Sequence, residues 1–123
     1  MKLKQSQRSK SLKGSREPVQ RVVRFHLSSE RELAEAVDFL NDEAPGLGFR
    51  LSGEVKETIS KILRFPETYA IIEKSVRGAS LDVFRYTIFY EFDKESDQIF
   101  VVAIAHQSRH PNYWKERLRD IPE

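Results

Sequence analysis

The 123-residue sequence has no cysteine, one methionine and one tryptophan. Without cysteine there is no disulfide framework, no thiolate nucleophile and no cysteine-ligated zinc site. No apolar run approaches the roughly 18 residues of a membrane helix. The basic N-terminus also lacks the apolar stretch of a secretory signal, so a cytoplasmic location is expected. Glycine and proline are sparse, at five each. They form no glycine-rich phosphate loop or nucleophile elbow, and no paired-carboxylate motif is present. These absences argue against a familiar small-molecule enzyme, and neither a cofactor nor a small-molecule substrate is expected. There is no internal repeat, and the length suffices for one compact domain without staples.

The formal charge of +2 conceals a division. Residues 1–24 carry eight basic side chains against Glu17 alone, whereas the remainder holds 13 basic and 18 acidic residues, a net of −5. Residues 1–18, "MKLKQSQRSKSLKGSREP", are rich in Lys, Ser, Arg and Gln. They hold too few apolar groups to offset ordering entropy, so they are expected to be a disordered basic tail before a domain spanning 19–120. The high isoelectric point belongs largely to that tail.

From Val19 the pattern changes. "VQRVVRFHL" is β-branched and short, which predicts a strand. Ser29, with Glu32 three residues later, has the form of a capping box. Leu33, Val37, Leu40 and Ala44 then recur at helical spacing, with Ala36 beside them. Pro45-Gly46 stops that helix. Phe49, Ser52, Val55, Ile59 and Ile62 form a second helical stripe that ends before Pro66, so "EAPGLG" reads as the tight connection of an antiparallel helix pair. Beyond Pro66 the period becomes two. Residues 76–84 predict a weak strand interrupted by Gly78 and Asp82, and 86–92 a strong one. "IFVVAIAH" (99–106) is apolar on both faces and is expected to be central in its sheet, with cover on one side and a further contact on the other. Pro111 can open a short C-terminal helix. The expected fold is α+β, a helical hairpin packed on a mainly antiparallel four-stranded sheet.

The stretch "AHQSRHPNYW" (105–114) concentrates the chemistry. His106 and His110 are four apart, a metal-sharing spacing on a helix, but they straddle a strand–helix junction and lack a third ligand, so no metal is expected. His106 reads either as a partly buried strand-end residue whose ring satisfies backbone groups or as a general acid or base. Arg109 and Arg85 could clamp a phosphate or carboxylate, joined by Arg77 from a neighbouring strand. Trp114, with Tyr113 and Leu118, reads as an anchor pinning the terminal helix to the sheet. Asp38, Asp42 and Glu43 read as a solvated helix face.

Three segments together, "EAVDFLNDEAPGLGFRLSGEV", "VRGASLDVFRYTIFYEF" and "IFVVAIAHQSRHPNYWKERL", resemble the RelE/ParE superfamily of bacterial type II toxins. The resemblance covers residues 20–119. Its most specific elements are Pro45-Gly46-Leu47-Gly48, the Phe84-x-Tyr86-x-Ile88-x-Tyr90 strand and the His106-x-x-Arg109-x-Pro111-x-x-Trp114 ending.

The resemblance implies a toxin made beside a cognate antitoxin protein that neutralises it. RelE-like members cut messenger RNA on the ribosome, and ParE-like members block DNA gyrase. For the first activity His106, Arg109, His110 and Tyr113 could serve as base, phosphate clamp, acid and base-stacking group. However, Ser80, Asp82, Thr87 and Glu91 stand where ribonuclease members tend to cluster Lys and Arg. The ParE-like side, binding a macromolecular target without chemistry, is favoured. Arg77, Arg85, Arg109, Lys115 and Arg119 are the expected cationic contacts for target or antitoxin.

Overall fold

A computed structural model describes residues 21–110 and 112–120. The expected tail at 1–18 and the role given to Pro111 lie outside these residues.

The elements run β1 (Val22–Phe25), α1 (Leu27–Glu43), α2 (Leu47–Arg64), β2 (Ile71–Glu73), β3 (Val76–Ser80), β4 (Tyr86–Asp93) and β5 (Gln98–His106), followed by a 3-10 helix (Lys115–Asp120). They build the α+β hairpin-on-sheet fold. The sheet has five strands, not four, in the order β1-β5-β4-β3-β2. The unforeseen strand is β2, only three residues long and too short for an alternating pattern to mark. All pairings are antiparallel except β1 with β5. The C-terminal helix is a 3-10 turn rather than an α-helix.

The helical hairpin turns at Gly46, whose φ of 85° lies in the left-handed region that favours glycine. Two residues on, Gly48 meets α1 so closely that a Cβ there would lie 2.1 Å from the Val37 carbonyl oxygen. Its N–H donates to Asn41 Oδ1 at 2.8 Å. This contact rotates α2 relative to the stripe expected from hydropathy. Gly48, Leu51, Val55, Thr58 and Ile62 are buried, whereas Phe49 is 69 % exposed. The helices approach closely here because Gly48 has no side chain.

β5 lies inside the sheet and is buried on both sides, as its composition requires. Ile99, Val101 and Ile104 join the core under the helices. Phe100, Val102 and Ala103 join a second cluster on the opposite face, capped by Trp114. Val102 and Ala103 share a face because of a bulge. Phe89 pairs with Ala103 and Tyr90 with Val101, so Val102 is the extra residue.

The start of α1 differs from the capping-box reading. His26 is the N-cap, and its Nδ1 accepts from the Ser28 N–H at 3.0 Å. Ser29 lies inside the helix, buried, with its hydroxyl donating to the His26 carbonyl at 2.7 Å. The reason is tertiary: the His26 N–H is already taken by the Val101 carbonyl at 2.9 Å, which brings β1 to its end there.

Candidate functional site

The chemistry-bearing stretch emerges where β5 ends. His106 pairs with Tyr86 across the β4–β5 ladder, with the rings edge-on at 5.2 Å. The next residues fold back immediately. Ser108 donates its amide (3.1 Å) and sits with its hydroxyl 2.8 Å from His106 Nδ1, while the Arg109 N–H donates to the His106 carbonyl. His110 Nδ1 likewise accepts from the Asn112 N–H at 3.2 Å. A backbone amide can only donate, so each neutral ring carries its proton on Nε2. The lone pair a general base would use is already engaged in both. His106 is exposed rather than partly buried, yet its ring does satisfy a backbone group.

Arg109 is held by stacking, with its guanidinium 3.8 Å from the Tyr113 ring centroid. Tyr113 in turn donates its hydroxyl to Glu32 Oε2 at 2.8 Å. His106 and Arg109 together line two depressions. One, of about 220 Å³, also takes in Glu35, Phe39 and Tyr86; the other, of about 120 Å³, takes in Thr87, His110 and Trp114.

Of the expected cationic contacts, Arg85 joins this end of the sheet, since its carbonyl accepts the Gln107 N–H at 2.9 Å. Arg77 does not join it. It pairs with Tyr90 further along the ladder and donates to the Tyr69 and Glu67 carbonyls at 2.7 and 3.2 Å. Lys115 is bridged to Glu73 at 2.7 Å, and Arg119 is exposed on the 3-10 helix. The five cations therefore do not form a single patch. Among the described residues no three His, Asp or Glu side chains gather to hold a metal ion.

Sequence reasoning passed over the residues that organise the site. Glu32, assigned to a cap, instead accepts from the Ile104 N–H at 3.0 Å, from Tyr113 and from both terminal nitrogens of Arg117 at 3.1 and 2.8 Å. Arg117 also donates to the carbonyl of the bulged Val102 at 3.0 Å. His26, at 2.7 Å from Asp120, ties the other end of the 3-10 helix to the start of α1. The charges of "KERLRD" could as well pair among themselves, and nothing in the sequence named Glu32 as the destination of Arg117.

Phenols around the sheet are held protonated. Burial pushes Tyr86 above the usual tyrosine value. Burial, then the bond to Glu32 and its charge, push Tyr113 up much further against the pull of Arg109 and Arg117. Burial pushes Tyr90 up to about 12, with Arg77 opposing, and its hydroxyl donates to the Pro66 carbonyl at 2.6 Å. Each folded value exceeds the unfolded value near ~10. The stabilisation is therefore complete below that pH and is lost as pH rises through the folded value. Urea unfolding is expected to show stability falling between about pH 10 and 12. Tyr90→Phe should flatten part of that slope, and an unchanged profile would contradict the assignment.

With this geometry in place, comparisons with known proteins become informative. The family described as ParE toxin of type II toxin-antitoxin system, parDE, matches residues 23–111, from β1 through His106 and Arg109 at the sheet end. The chain belongs to the ParE toxin family. A chain of the chromosomal ParDE TA system from P. aeruginosa has a similar structure, with a TM-score of 0.61 at 11% identity, covering 70% of this chain and 95% of that one. The isolated E. coli RelE toxin is also similar, with a TM-score of 0.57 at 16% identity, covering 82% of this chain and 99% of that one. At such identities these likenesses establish the fold. No curated protein matches the sequence. The ParE match spans the helical hairpin, the Phe84–Tyr90 strand and the His106–Arg109 end of the sheet, and stops short of Trp114. No helix among the described residues of this ParE-family chain is long and apolar enough to cross a membrane.

Proposed function

We propose that this ParE-family chain is a cytoplasmic toxin that arrests growth by binding a macromolecular target, DNA gyrase being the first to test, and that a cognate antitoxin neutralises it. The observation that carries this reading is the state of the sheet end. Both histidines already use the lone pair a base would need, and Tyr113 is committed to Glu32, whereas Arg85 and Arg109 are exposed. Such a site binds well and is poorly equipped for proton transfer. An antitoxin helix has a place to lie: a groove of about 440 Å³ along α1, lined by Phe25, Leu33, Ala34, Val37 and Ser52.

Induction without the antitoxin is expected to arrest growth, with plasmid supercoiling lost and messenger RNA intact, and the antitoxin is expected to co-purify. Ribosome-dependent messenger cuts that vanish in His106→Ala and Arg109→Ala would favour a ribonuclease of the RelE kind instead. No growth defect at all would leave an inactive family member.

A further inference from the structure

We infer that Glu54 is a positioning residue that fixes the β3–β4 loop, and that this loop, with Val83 at its tip and Arg85 and Arg109 beside it, is the edge by which the toxin grips a protein surface bearing an apolar pocket bordered by carboxylates. The inference rests on the reading of the chain as a toxin acting by binding.

The loop, residues 81–85, folds around a carboxylate from α2. Glu54 Oε2 accepts from the Asp82 and Val83 amides at 2.7 and 3.0 Å, and Oε1 accepts from the Phe84 amide at 3.3 Å. Three successive N–H groups converging on one anion form a backbone nest, here filled by the chain's own side chain. These are charge-assisted bonds, stronger than the water contacts an exposed loop would otherwise make. The loop is closed further by Leu81 N–H to the Tyr86 carbonyl at 2.9 Å and Tyr86 N–H to the Phe84 carbonyl at 2.8 Å. Leu81 is buried and Phe84 packs against the core, so the tip has one shape.

What the fixed loop displays is unusual for a solvated turn. Val83 is 69 % exposed, and Arg85 next to it is exposed as well. Neither Arg85 nor Arg109 forms an ion pair among the described residues. The Gln107 N–H bond to the Arg85 carbonyl ties the loop to the strand end carrying His106 and Arg109. A rigid apolar tip next to the exposed Arg85, on a loop tied to the strand end that carries Arg109, is preorganised, so little ordering entropy is lost when it docks. Two cations are too few for a nucleic-acid backbone, whose binding depends on many phosphate contacts. A protein surface with carboxylates around an apolar pocket suits this edge better.

The test is induction of the chain without antitoxin, counting survivors, together with amide hydrogen exchange of the purified protein. Glu54→Ala should speed exchange at residues 82–84 by about tenfold or more and relieve the arrest, with Glu54→Gln between it and the wild type. Arg85→Glu and Val83→Ser should relieve the arrest with wild-type exchange and melting, and Arg85→Lys should retain part of it. Rapid exchange in Glu54→Ala with full arrest would overturn the positioning role. Wild-type arrest by both Arg85→Glu and Val83→Ser would overturn the edge, and these two decide the matter if Glu54→Ala does not fold. Messenger cuts lost in Arg85→Glu would mean that the edge reads RNA, which also overturns it. If the wild-type chain arrests nothing, the toxin reading itself fails.

Discussion

Glu32→Ala is expected to lower the unfolding free energy by about 3 kcal/mol, the lower end of the loss that follows removal of one partner of a hydrogen-bonded charge pair largely withdrawn from solvent. Its side chain is 14 % exposed and that of Arg117 16 %, so solvent screens the pair weakly. The carboxylate is saturated by four donors: two from Arg117, the Tyr113 hydroxyl and the Ile104 amide. Alanine leaves all of them without that acceptor at the junction of α1, β5 and the C-terminal segment. Equilibrium urea unfolding checks this. Replacing Glu32 and Arg117 together by leucine and methionine should recover much of the loss, because the cost lies in orphaned partners rather than in the net worth of the pair. A loss below about 1 kcal/mol for Glu32→Ala would mean that the site behaves as an exposed surface pair.

Trp114→Ala is expected to cost a similar amount, about 3–5 kcal/mol, through lost transfer energy and the cavity left behind. The ring is 1 % exposed, 5.1 Å from that of Phe89, and caps the cluster containing Val76, Phe100, Val102 and Ala103. Its indole Nε1 has no hydrogen-bond partner among the described residues. Trp114→Phe should therefore cost much less than Trp114→Ala, since no hydrogen bond is lost with the nitrogen. Denaturant midpoints of the two variants measure the difference. Equal losses would show that a specific role of the indole, not volume, holds the segment in place.

Both expectations concern the same structural task. Among the described residues the second face of β5 is covered chiefly by the segment after His106, which is held by Trp114 packing and by the Glu32–Arg117 and His26–Asp120 contacts. The sheet end therefore owes its shape to largely buried residues behind it. Loss of arrest in a Glu32 or Trp114 variant must be weighed against folding. Arg85, whose side chain is exposed, carries no such ambiguity.

Much of this molecule was legible from its residues. The helical hairpin, its turn at Pro45-Gly46 and the central place of the apolar run that begins at Ile99 follow from period, punctuation and composition, which act between near neighbours. The anchor role of Trp114 followed from being a lone large aromatic beside an apolar terminal turn. The candidate site was half legible: Arg85, His106, Arg109, His110 and Tyr113 do meet at the sheet end, whereas Arg77 and Lys115 are engaged elsewhere. Strand spacing alone could not tell which end of a ladder, or which face, each arginine would occupy.

By itself, then, the sequence determined the element types, their order, the α+β class and the family resemblance that the ParE match bears out. Tertiary structure alone decided the fifth strand, the rotation of α2 about Gly48, the bulge at Val102 and the destination of the Glu32 carboxylate. The physical reason is distance along the chain. Glu32 meets Ile104 and Arg117 across 72 and 85 residues, and Glu54 meets its three amides across 28 to 30. Periodicity records which side of an element is apolar, but not which distant donor a charged group on it will find.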